Sequence, residues 1–210
     1  MASTTPTAYP PNGTFWDTLS TSFVDVPVGP APACEISTTE FLHAAEALTT
    51  LFDVLGSIAF TPVKSDLLGN INKIRTYQHS SPASTATLQS LVRSELATKK
   101  HVATEGLLWL TRGLDFTAQA LRHNQVHAAD ELSNSFRAAY GETLKPHHSF
   151  LVKPIFSAAM SACPYRKDFY AKLGAEGKED EVKTRLQEWL TALEQQVMIL
   201  KAFMAKDGKW

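Results

Sequence analysis

Apolar positions return every three or four residues along most of the chain, the spacing of helices that bury one face. The last run is the clearest. Val182, Leu186, Trp189, Leu190, Leu193, Val197, Leu200 and Phe203 predict a helix over about 180–206. Upstream, Ser37-Thr38-Thr39-Glu40 reads as a capping box that opens a helix to Leu55, closed by Gly56. Thr61-Pro62, an N-cap followed by proline at the first helical position, opens a second helix to His79. Ser84 caps a third, to Thr98. A fourth covers about 100–127 and carries Leu107, Leu108, Trp109, Leu110, Leu114, Phe116 and Leu121. It is apolar almost all round, which predicts a central, buried helix. A fifth spans about 128–144 and ends before Pro146; a sixth runs from His147/His148 to Cys163, with Pro154 in or near a kink and Pro164 as the stop. Asp168–Leu173 is a short helical turn.

No strand, repeat or low-complexity tract interrupts this pattern. The expectation is an all-α single domain of seven or eight helices. Residues 1–36 are different: Pro10, Pro11, Pro27, Pro30 and Pro32 forbid a long helix there. They read as an irregular arm that Phe15, Trp16 and Phe23 dock onto the body formed by 37–210.

Length and composition narrow the classes. At 210 residues with a net charge of −1, the chain suits one sizeable core and lacks the basic surface of a nucleic-acid binder. Cys34 and Cys163 are too few for a disulfide framework and read as reduced. The opening MASTTPTAYPPNGT has no apolar signal segment, and the longest strongly apolar run, Leu107–Leu110, is far short of a membrane span. The expected compartment is the cytoplasm, with any membrane contact peripheral.

Catalytic motifs are missing. No GxSxG, P-loop, dinucleotide or zinc-finger pattern occurs, and Cys163 lies in an apolar helical stretch. His123 and His127 have metal-ligand spacing but no third ligand in view; a solvated helix end favoured by the macrodipole accounts for them better. Glu179, Asp180 and Glu181 read as charges compensating a helix start. Neither a metal, a cofactor nor an enzymatic reaction is expected.

One polar stripe stands out. Asp66, Asn70 and Lys73 span an arc of about 60° at roughly 100° per residue, and Val63, Leu67, Ile71 and Ile74 fill the adjoining arc. An acid, an amide and a base at the edge of a buried face form the fan of donors and acceptors that a sugar requires. On spacing alone a solvated rim with a weak Asp–Lys attraction is the plainer reading. Trp109 has two readings too. A core indole is the commoner one, but Gly106, Arg112 and Gly113 flank it, and the glycines allow close approach by a helix or ligand.

Three stretches together resemble a known family. LFDVLGSIAFTPVKSDLLGNINKIR, LLWLTRGLDF and AAYGETLKPHHSFLVKPIFSAAMSACPYRKDF are similar in order and content to the glycolipid transfer proteins, most of all the fungal heterokaryon-incompatibility (HET-C) type. The resemblance covers about 37–205. It implies a two-layer helical sandwich with a sugar site above an apolar lipid tunnel. It makes Asp66, Asn70 and Lys73 the sugar cluster, Trp109 the stacking platform, and His148, with Asp66, the ligands of the ceramide amide. His147 aligns with an aromatic position beside that histidine, and a slip of one residue would exchange the two; His148 ranks first. The same resemblance turns Phe52, Phe60, Val63, Phe116, Leu144, Leu151, Ile155, Phe156 and Phe169, otherwise ordinary core, into tunnel lining. Phe150 stands where the family has a membrane-facing tryptophan. Phe150, Lys153, Tyr165, Arg166, Lys167 and Trp210 are therefore the expected membrane contacts, being aromatic and basic.

Relatives that carry ceramide-1-phosphate place basic residues at the positions of Asn70 and Trp109. A neutral amide and an indole favour a sugar instead. The implied partners are a monoglycosylceramide or larger glycosphingolipid and, transiently, a membrane surface; the chain itself is expected to be a monomer. A glycolipid sensor or signalling adaptor is the alternative. A glycolipid hydrolase is the weaker rival, because it needs two carboxylates and only Asp66 qualifies.

Overall fold

In a computed structural model that describes residues 9–207, the chain is all-α. Its helices are α1 (Thr38–Leu48), α2 (Leu51–Leu55), α3 (Thr61–Ser80), α4 (Leu88–Ala97), α5 (Val102–Val126), α6 (Leu132–Glu142), α7 (Lys153–Ser161), α8 (Arg166–Ala171) and α9 (Glu179–Asp207). Among the described residues, extended pairing is confined to isolated bridges such as Val28 with Ile36 and Ser37 with Thr87.

Helix α5 is the centre, packed against α3, α4, α6 and α9. Leu107, Leu110, Leu114, Phe116 and Leu121 are fully buried, as the all-round apolar pattern requires. Glycines let α3 come close to it. A Cβ added at Gly113 would meet Leu67 Cδ2 at 2.7 Å, and one at Gly106 would meet Lys73 Cβ at 3.1 Å and the Asn70 carbonyl at 3.2 Å. The first turn of α5 is capped from α4: the buried Glu95 carboxylate accepts from the N–H groups of Ala103 (2.9 Å) and Thr104 (2.7 Å).

The element boundaries correct several expectations. The helix opened at Ser37 does not reach Leu55 unbroken. Thr49 and Thr50 turn their hydroxyls back onto the carbonyls of Glu46 and Ala47, both at 2.7 Å, and the helix restarts as α2. Ser37 donates to the Glu40 side chain and does not cap a backbone N–H. Gly56 closes α2 at φ 74°, a left-handed conformation that favours glycine. Ser84 ends a 3-10 turn at Pro82–Ser84; the cap of α4 is Thr87, whose hydroxyl accepts from Ser90 N–H at 3.1 Å. Pro154 opens α7 in its first turn and kinks nothing. His147 and His148 therefore lie in the turns between α6 and α7, not on a helix.

Before α1, Phe15, Trp16 and Phe23 are buried. Phe23 is 1% exposed and meets Phe41 and Trp189 edge-on at 6.0 and 5.8 Å. Gln196 of α9 donates to the Phe23 carbonyl at 2.8 Å.

Candidate functional site

The polar stripe of α3 is wired in one direction. Lys73 Nζ donates to Asn70 Oδ1 at 3.1 Å, and Asn70 Nδ2 donates to Asp66 Oδ2 at 3.3 Å. Asn70 is 3% exposed, so its amide is held by its two neighbours while they face outward. Two Lys73 N–H groups and most of the Asp66 acceptor capacity stay open to a ligand. Asp66 is exposed at the rim, and the protein atoms around its carboxyl still raise its pKa above the usual carboxylate value, with Lys73 pulling it partly back.

Trp109 is half-buried, not core. Its indole lies nearly parallel to the His148 ring (centroids 5.9 Å apart, 19° between planes), and the Arg112 guanidinium sits over it at 4.9 Å. His148 is fixed by three further contacts. Its Nδ1 is 3.2 Å from the Tyr140 hydroxyl, and its ring is 4.5 Å from that of Phe156 and 5.7 Å from that of Tyr140. Burial, then the charges of His147 and Lys153, hold its pKa below the ordinary imidazole value. With Tyr140 donating to Nδ1, Nε2 carries the ring hydrogen and is left as a donor. His147 is exposed and meets Trp109 only edge-on at 6.5 Å.

From His148 a chain of rings leads inward. Phe156 meets Phe116 at 6.1 Å, Phe116 meets Phe136 at 5.5 Å, Phe136 meets Phe60 at 6.3 Å, and Phe60 meets Phe52 at 5.9 Å. Val63 and Leu144 are buried as well. Phe169 is fully buried, with an edge-on contact to Tyr170. Two residues expected inside are not: Leu151 is 68% and Ile155 44% exposed. The turns before α7 and its first turn carry them on the outside, beside Phe150 at 79%.

Exposed apolar side chains thus gather near the start of α7, with Ile58 in the turn packed against that helix and Tyr165 after it. Lys153 and Lys167 are exposed. Arg166 departs from the expectation of a free membrane cation. It donates to the backbone and side-chain oxygens of Asn124, and its guanidinium covers Tyr170 at 4.6 Å, so it ties α8 to the end of α5. Trp210 lies outside the described residues.

Tyr140, Phe136 and Ile58 escaped the sequence reading. Tyr140 is eight residues from His148 across a turn, so no helical spacing links them. Among the described residues no group of three or more His, Cys, Asp or Glu converges as a metal site, and no helix is long and apolar enough to cross a membrane. His123 and His127 stack on each other at 4.1 Å.

Known proteins share this fold. The family model described as glycolipid transfer protein (GLTP) matches residues 36–175. A glycolipid transfer protein of Aureobasidium melanogenum is 62% identical over 97% of this chain and 99% of its own length. The crystal structure of HET-C2, a fungal glycolipid transfer protein, superposes with a TM-score of 0.90 at 60% identity, covering 94% of this chain and 100% of that one. A GLTP-fold structure of FAPP2, which selects simple glycosphingolipids, gives a TM-score of 0.81 at 33% identity over 93% of this chain and 96% of that one.

Proposed function

The chain belongs to the glycolipid transfer protein family, and from that premise we propose that it binds a glycosphingolipid and carries it between membranes. The observation that carries this reading is the wired triad beside a half-buried indole, at the mouth of a chain of aromatic rings. The first sugar stacks on Trp109 and hydrogen-bonds to Asp66, Asn70 and Lys73. His148 Nε2–H meets the amide carbonyl and Asp66 accepts from the amide N–H. The acyl and sphingoid chains part the rings of Phe156, Phe116, Phe136, Phe60 and Phe52.

The need for such a carrier follows from the hydrophobic effect. A ceramide exposes roughly 30 methylenes on leaving a bilayer, each worth about 0.8 kcal/mol, or about 24 kcal/mol together. An apolar sleeve removes much of that barrier with no covalent step, so no catalytic residues are required. The exposed group Phe150, Leu151, Ile155, Tyr165 and Ile58, with Lys153 and Lys167, suits brief docking on a membrane surface. A monomer in the cytoplasm meets all these needs.

The test is Asp66→Val in fluorescent-lipid exchange between vesicles. Transfer of glucosylceramide should fall at least tenfold, while Tm holds or rises because a crowded carboxylate is gone. Retention of more than half the wild-type rate would remove Asp66 from the site.

A further inference from the structure

Tyr140, near the end of α6, is 5% exposed and packs as core, yet it carries a polar atom. Its ring lies flat on that of Phe156 in α7, with centroids 5.3 Å apart and 11° between planes, and meets Phe116 of α5 edge-on at 6.3 Å. Those two contacts fix where the hydroxyl goes. Among the described residues its one hydrogen-bond partner is His148 Nδ1, at 3.2 Å, in the turns between α6 and α7. Burial raises the Tyr140 pKa, so the phenol keeps its hydrogen at neutral pH.

The direction of that bond follows from what each group can offer. A neutral imidazole carries one ring hydrogen, so one nitrogen donates and the other accepts. A hydrogen on Nδ1 would leave the buried phenol hydrogen without an acceptor, the costly way to arrange the pair. With the hydrogen on Nε2, Nδ1 accepts from Tyr140 and both groups are satisfied. The other neighbours of His148 cannot make this choice. Trp109 and Phe156 meet its ring at 5.9 Å (19°) and 4.5 Å (56°), and aromatic contacts do not tell one nitrogen from the other. His147 and Lys153 disfavour the charged ring without selecting a tautomer. The choice matters for the ligand. An Nε2–H needs an acceptor, and the carbonyl of an N-acyl lipid is one. A deacylated glycolipid brings instead an amine that is protonated at neutral pH and only donates.

We infer that Tyr140 is a positioning residue: by donating to Nδ1 it holds His148 as a donor at Nε2, and so sets the preference of the site for an N-acylated glycolipid over one with a free amine. The inference rests on the carrier reading above, and the experiment separates the two. Tyr140→Phe removes one oxygen and leaves the ring contacts in place. In lipid-free protein above the His148 titration, 15N NMR should find the hydrogen on Nε2 in the wild type and both tautomers in Tyr140→Phe. Without the hydroxyl, two tautomers and two flips of the imidazole share the population, and one of the four serves a carbonyl; glucosylceramide transfer should therefore fall about fourfold. In displacement of a fluorescent glycolipid, the preference for glucosylceramide over glucosylsphingosine should fall by at least about as much, since a ring that can accept now suits the amine. With His148→Gln already in place, Tyr140→Phe should change transfer by less than about twofold, whereas a merely structural tyrosine would slow it in both backgrounds. A hydrogen on Nδ1 in the wild type, unchanged tautomers or an unchanged lipid preference in Tyr140→Phe, or equal slowing in both backgrounds would each overturn the role of Tyr140. Failure of the wild type to move glucosylceramide would overturn the carrier reading, while the lipid-free tautomer measurement still decides for or against Tyr140.

Discussion

His148 shows how a single side chain is tuned by its surroundings. Stacked near Trp109 and against Phe156, with His147 and Lys153 close by, its imidazole has a pKa held below the ordinary value, by burial first and then by those two charges. The sign of the consequence is fixed. The unfolded chain takes up this proton at higher pH than the folded one, so the stability this residue contributes is complete above its unfolded value of about 6.5 and is lost as pH falls through the depressed folded value. A ceramide would strip away the remaining water and depress the pKa further. By linkage, affinity for glycolipid should then weaken as the solution is acidified through the His148 titration. An NMR titration of the ring with and without bound glucosylceramide checks this. A midpoint at or above that of free imidazole, or one raised by lipid, would contradict the arrangement. The sequence alone could rank His148 over His147 only by resemblance. The two are adjacent in a turn, and which of them lies parallel to Trp109 depends on how residues 144–152 wrap, a matter no periodicity records.

At the scale of elements, the site exists because α3 and α5 approach closely. Asn70 and Lys73 of α3 lie against Gly106, one turn before Trp109. Gly106→Val should push the helices apart at the point where the triad meets the platform. The added Cβ alone would sit 3.1 Å from Lys73 Cβ and 3.2 Å from a backbone carbonyl that cannot move freely. Overpacking of this kind costs typically about 1–3 kcal/mol. Thermal unfolding should register that loss, and glucosylceramide transfer should fall by more than the fraction unfolded explains. An unchanged Tm would mean that the interface has slack. The long, strongly periodic helices α3, α5 and α9 were legible to within a residue or two. The ends that misled were those decided by side-chain bonds to backbone: Thr49 and Thr50 breaking α1 from α2, and Thr87 taking the cap from Ser84. Leu151 and Ile155 misled for another reason. Apolar letters beside a helix start look alike whether they turn inward or outward, and here they turn outward.

For the whole molecule, the decisive property is which lipid class the assembled surface prefers. All-α architecture and the order of its helices followed from periodicity, but the interior path of rings did not: Phe52, Phe60, Phe116 and Phe156 are indistinguishable in sequence from core, and Phe136 joins them only in three dimensions. In the proposed reading, selectivity rests on fewer groups. Around Trp109 the fixed donors are one amide, one lysine already bonded to that amide, and a guanidinium engaged with the indole. A sugar uses this mixture of donors and acceptors together with the flat ring. A phosphate would meet Lys73 next to the Asp66 carboxyl and Arg112 lying over the indole, with no base at positions 70 and 109, and each charge-assisted bond it failed to make would forgo about 1.5–3 kcal/mol. With equal mole fractions of competing lipids in donor vesicles, transfer of glucosyl- or galactosylceramide should therefore exceed that of ceramide-1-phosphate and phosphatidylcholine at least tenfold. Asn70→Lys combined with Trp109→Arg should weaken glycolipid transfer by removing both the relay and the stacking face. Equal or faster movement of ceramide-1-phosphate by the wild type would show that the neutral amide and the indole do not set the headgroup preference.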